Sequence, residues 1–83
     1  MKADADLIRR QARRIREIAE DMRNISNVRL SNSANNISAA WRGEAANRFL
    51  SHSAETRGQI NAVAAELLEV ANLMELEAKI AGG

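Results

Sequence analysis

The chain has 83 residues, a formal net charge of +1, no cysteine and no proline. That length allows one domain with a marginal buried fraction. Without cysteine there is no disulfide or thiolate–metal staple, which leaves association as the usual remedy for so small a scaffold. No apolar run approaches the roughly 18 residues of a membrane span, so stable membrane insertion is not expected.

The polar start Met1-Lys2-Ala3-Asp4-Ala5-Asp6 lacks the apolar core of a signal peptide. Residues 4–40 form the first expected helix, opened by Asp4 or Asp6 at its positive end. Ile8, Ile15, Ile18, Met22 and Ile25 recur at three-, four- and seven-residue steps and draw one apolar stripe. Arg13 with Glu17, and Arg16 with Glu20, stand four apart and are expected to pair on the outer surface. Past Ile25 the stripe changes register, continuing through Leu30, Ala34, Ile37 and Trp41 in the manner of a coiled-coil stutter. Asn and Ser crowd the stretch 24–38 and compete for backbone hydrogen bonds, so a kink or break would fall at Ser31-Asn32-Ser33, but period-3.6 apolar positions persist through the segment and it is expected to stay helical.

A turn at about 41–43 follows. Gly43 permits the left-handed backbone that ends a helix, and Trp41, the only tryptophan, offers a large apolar anchor whose burial would pin the reversal. The second helix is expected at about 44–80, with Glu44 in its first turn. Its stripe runs through Ala46, Phe49, Ser53, Thr56, Ile60, Val63, Leu67, Val70 and Met74, and these residues are expected to form the intramolecular seam. Gly58 costs roughly 1 kcal/mol relative to alanine inside a helix and reads as a close approach or a tolerated flaw. So short a connection makes the arms antiparallel, a single all-α helix–turn–helix hairpin over residues 1–83.

Towards the C-terminal end the apolar surface widens past one seam. Leu68, Leu73, Leu76 and Ile80 spread away from the stripe, and one neighbouring helix cannot cover them. They are the expected partner interface, and two hairpins pairing into a four-helix bundle is the simplest way to bury them.

Catalytic chemistry finds no support. His52 is the only histidine and has no convincing orienting carboxylate, and serines beside it on a helix point elsewhere. Neither metal-ligand spacing nor a phosphate-cradling glycine loop is present, so no cofactor is expected and the chain does not read as an enzyme. Residues 1–39 hold eight Lys or Arg against five Asp or Glu, whereas residues 40–83 hold four against six. The basic surface of Arg9, Arg10, Arg13 and Arg14 reads first as a solvated, salt-bridged helix face. Contact with an acidic partner protein or an export apparatus is the next reading, and nucleic acid is not expected because no aromatic residue interleaves the cluster.

The stretch Trp41-Arg42-Gly43-Glu44-Ala45-Ala46-Asn47-Arg48-Phe49 reads W-x-G-x-A-x-x-x-F. It resembles the central signature of the WXG-motif superfamily, small helical-hairpin substrates and chaperone-like partners of type VII (ESX) secretion systems. Length, layout and mid-chain motif extend the resemblance over essentially the whole chain, with Trp41 and Gly43 as the name-giving pair and Ala45 and Phe49 completing the turn motif. The resemblance implies export without a signal peptide, as a homodimer or as a heterodimer with another WXG or LXG-type helical protein, by contact with the secretion machinery. Many members carry a Tyr-x-x-x-Asp/Glu signal after the second helix. This chain has no tyrosine, and Leu73 to Glu77 keeps only the acidic end of that spacing, so either an unusual signal operates, or a larger partner supplies it, or a homodimer builds the composite signal differently. The alternative function is a generic helical adaptor or nucleic-acid-associated bundle that uses the basic first helix.

Overall fold

The computed structural model describes residues 2–82, with side chains from Asp4 onward; Met1 and Gly83, the limits of the expected domain, lie outside the described residues. Four elements follow one another: α1 (Lys2–Asn24), a π-helical segment (Ile25–Leu30), α2 (Ser31–Ala40) and α3 (Glu44–Gly82). The first three form one continuous arm and α3 is the other, so the chain is an all-helical hairpin. Its extents are 60 × 15 × 11 Å, the long dimension matching the roughly 58 Å that a helix of this length rises. Acidic residues open α1 and α3 (Asp4 and Glu44) and basic ones stand in their last turns (Arg23 and Lys79), each complementing the helix dipole.

The two arms meet along small residues. Ala5, Ala12, Ala19 and Ser26 recur every seven positions on the first arm, and Ala64, Ala71 and Ala78 do so on the second; all seven are inaccessible to solvent. A heptad period keeps one residue per two turns facing the partner helix. Because each is no larger than serine, the backbones come close, since the side chains at the contact set the interaxial distance. Gly82 reports the same closeness, because a Cβ there would fall 2.7 Å from the Ala5 Cβ.

This corrects the expected seam. Val63 and Val70 are each 44% exposed, and among the described residues serine is the largest side chain fully buried. Ile8, Ile15 and Met22, and Ile60, Leu67 and Met74, are only half-buried and flank the alanines. Large side chains lost the centre for a steric reason, because the interhelical gap that alanines define has no room for them.

As its apolar period implies, the first arm stays helical through Ser31-Asn32-Ser33, and the register shift is taken up elsewhere. The adjustment lies upstream in the π segment. Ser26 to Ala34 is eight residues rather than seven, and a π turn absorbs one extra residue. The Ser26 hydroxyl there donates to the Arg57 carbonyl at 3.0 Å, and Asn61 Nδ2 donates to Asn27 Oδ1 at 3.0 Å. These bonds hold the interruption against α3. The Asn- and Ser-rich stretch therefore stays helical, its solvent-facing side chains free to bond with water.

Two substitutions test the seam. Ala71→Leu should lose about 1–3 kcal/mol by overpacking, whereas Ala62→Leu on an exposed position should change stability by under about 0.5 kcal/mol. Gly58 has nothing within 4 Å of an added Cβ, so it is not a close-approach glycine. Gly58→Ala should stabilise by about 0.5–1 kcal/mol. Urea unfolding followed by circular dichroism measures all three.

Candidate interaction surfaces and turn motif

The turn is compact. Trp41 is extended (φ −128°, ψ 130°), and its N–H donates to the Ile37 carbonyl at 2.8 Å to close α2. Gly43 follows at φ +116°, a conformation that glycine adopts without the steric cost other residues meet. Its carbonyl accepts from Asn47 N–H at 3.0 Å in the first turn of α3. The Trp41 and Phe49 rings pack at 6.2 Å between centroids, tilted by 52°, within the range of favourable aromatic pairs. Both rings remain 45% exposed. The hairpin by itself thus does not bury the indole, and a large apolar pair is left open at the turn, beside exposed Ala45.

The alanine seam divides the hairpin into two faces, and a simple positional rule assigns them. Positions three after or one before a seam residue lie to one side; those four after or one after lie to the other. Antiparallel packing puts the same class from both arms on the same face. The first face is apolar: Ile8, Ile15 and Met22 with Leu67 and Met74 beside the seam, and Ile18, Ile25, Val63 and Val70 further out. Leu30 and Ile37 continue it around Ala34, in phase because of the π segment. Near the turn, Ser53 and Thr56 occupy flank positions, leaving a depression of about 240 Å³ lined by Leu30, Phe49, His52, Ser53 and Thr56.

The expected interface residues are distributed differently. Leu73, Leu76 and Ile80 lie on the outer surface of α3 and are 61%, 54% and 78% exposed. Leu68 is half-buried on the opposite, polar face. Sequence reasoning missed the flat face because it assigned those side chains to the intramolecular seam. The overlooked signal was alanine at every seventh position.

The second face is polar and basic. Arg16 crosses the seam: its Nε donates to Glu75 Oε2 at 3.2 Å, and its terminal nitrogen donates to Glu75 Oε1 and Asn72 Oδ1. Neither expected i, i+4 pair from this region is present. Glu17 instead pairs with Arg14 at 3.2 Å, and Arg9 pairs with Asp6 at 3.2 Å. Arg9, Arg13 and Arg16 line one groove with Glu75 and Lys79, whereas Arg10 and Arg14 lie outside it.

His52 Nδ1 stands 3.8 Å from Glu55 Oε2, beyond hydrogen-bond reach, and both side chains are exposed. Among the described residues no group of three or more His, Cys, Asp or Glu is placed to hold a metal ion, and no helix is long and apolar enough to cross a membrane.

An antiparallel helical hairpin with one apolar face and a Trp-x-Gly reversal defines a class of small helical-hairpin proteins. The family model WXG100, described as proteins of 100 residues with WXG, matches residues 1–79, and the chain belongs to that family. Members are small proteins of the type VII secretion substrate type, secreted without a signal peptide, rather than enzymes. No curated protein and no solved structure matches the chain.

The Arg16–Glu75 pair predicts a pH response. The hydrogen bonds from Arg16 hold the Glu75 carboxyl below its usual range, while Glu75 pushes the Arg16 guanidinium further up. A carboxylate with a depressed folded-state pKa contributes stability above its unfolded pKa and loses it as pH falls through the folded value. The acid limb therefore belongs to Glu75, because the contribution of Arg16 is fully present at acid and neutral pH and is lost only in strong alkali. The pair is half-exposed and solvent-screened, so its effect on stability is small. Carbon-detected NMR titration of Glu75 should show its midpoint rising when Arg16→Met removes the donor.

Proposed function

We propose that this protein is a type VII secretion substrate or targeting partner that acts by pairing its apolar face with a second helical hairpin in a four-helix bundle. The single observation that carries this reading is that face. Ile8, Ile15, Met22, Leu67 and Met74 lie half-buried in one plane, and Ile18, Ile25, Val63 and Val70 border it. A continuous apolar surface of this kind marks an interaction site. Alanine burial contributes little per residue, whereas each large side chain that a partner covers adds roughly 1.5–3 kcal/mol. Pairing therefore adds stabilisation beyond what the alanine seam supplies. Leu73 and Ile80 extend the surface round α3, and the exposed Trp41–Phe49 pair extends it to the turn. The partner is a copy of the chain or the helical targeting domain of a larger LXG-type protein.

Ile15→Asp with Leu67→Asp should abolish association while leaving the alanine seam intact; Leu68→Asp on the polar face should not. Size-exclusion chromatography with light scattering reads the result. A wild-type chain that stays monomeric and cooperatively folded at high micromolar concentration would exclude the homodimer. Failure to pair with a co-encoded helical partner as well would exclude the bundle. Trp41→Ala should cost the isolated hairpin less than the roughly 3–5 kcal/mol of a fully buried aromatic, with a larger loss in partner binding and in export.

A further inference from the structure

We propose that the polar face carries a docking groove for a carboxylate-rich polypeptide segment, bounded by Arg9, Arg13 and Arg16 on α1 and by Lys79 on α3. The groove encloses about 510 Å³. Its three arginines stand at i, i+4 and i+7, a row that rises about 10 Å along one side of the helix. Four cations and a single carboxylate, Glu75, line it. Arg9 and Arg16 are already engaged by Asp6 and Glu75, but Arg13 and Lys79 make no ion pair among the described residues. Positive charge is thus left facing the opening from both arms.

The occupant follows from how that charge is laid out. Glu75 shows that the guanidinium fork here takes a carboxylate through two N–H donors on one edge, Nε and a terminal nitrogen, the bidentate geometry that gives such pairs their specificity. The cations are spread over about 10 Å of α1 and across to Lys79 on α3 rather than converging on one point, which suits several single carboxylates better than one phosphate. No aromatic residue lies in the groove for a base to stack on, since Trp41 and Phe49 are at the turn and the groove is at the other end of a 60 Å molecule. No large apolar side chain lines it for insertion into lipid. The groove also lies on the face opposite the apolar one, so it remains open when the apolar face is covered and does not depend on that pairing.

Fluorescence anisotropy tests the assignment with a labelled helical peptide carrying Glu at i, i+4 and i+7, its Gln counterpart, a short DNA duplex and phosphatidylglycerol vesicles. The Glu peptide should bind saturably, one per chain, and weaken as salt screens the contact; the Gln peptide should not bind. Arg13→Glu with Lys79→Glu should weaken binding about tenfold or more. Glu75→Gln should tighten it by freeing Arg16 from its internal ligand. Both sites are exposed, and an unchanged circular dichroism spectrum shows that the variants fold; Arg13→Gln with Lys79→Gln repeats the test without charge reversal. Ile15→Asp with Leu67→Asp should leave peptide binding intact, which separates this groove from the pairing face. Absence of saturable peptide binding, or binding indifferent to Arg13 and Lys79, overturns the proposal. Equal or tighter binding of the duplex or the vesicles overturns it in favour of a phosphate ligand.

Discussion

Close approach of two antiparallel helices along alanine is the constraint on which the rest of this hairpin depends. A seam of Ala5, Ala12, Ala19 and Ser26 against Ala64, Ala71 and Ala78 leaves no volume for leucine or isoleucine between the arms. Large apolar side chains are displaced to the flanks, where they are half-covered by the hairpin and half-open to whatever lies outside it. Had the seam been leucine and isoleucine, the same two helices would have stood further apart and used up their apolar surface on each other. Small residues at the centre therefore favour a ribbon with something left to bury.

The alanine line also separates two chemistries. Isoleucine and methionine follow the seam residues of α1 at three positions, and arginine follows them at four. One step round the helix changes the character of the surface from hydrocarbon to guanidinium. The apolar face gathers side chains whose burial is non-directional and proportional to area. The polar face gathers charge-assisted bonds such as Arg16 to Glu75, which are directional and remain in contact with water. The two can thus be engaged at once by partners of different kinds.

Helical class, the antiparallel layout and the Trp41–Gly43 reversal could be read from the sequence, because each rests on local chemistry. Period-3.6 apolar spacing makes the helices, and a glycine at positive φ ends one. The identity of the seam could not be read in the same way. Hydrophobic periodicity weights Ile60, Leu67 and Met74 above the neighbouring alanines, although steric closeness, not hydrophobicity, decides which residues meet. The partners of Arg16 were equally hidden. Glu20 is nearer in sequence, but Glu75 becomes available only once the two arms are in register. Lys79 joins Arg9 and Arg13 for the same reason, so half of the basic groove was legible and half had to wait for the fold.

The π segment at Ile25–Leu30 has a consequence for how such a hairpin is assembled from parts. One surplus residue in a regular helix would rotate everything beyond it by about 100°, turning Leu30 and Ile37 away from the face that Ile8 and Ile15 define. Here the slip is confined to six residues and clamped by Ser26 on the Arg57 carbonyl. The stretch before it and the stretch after it consequently keep separate heptad counts that agree only in space. Such a joint lets two stretches that are out of step in sequence present one common face in space.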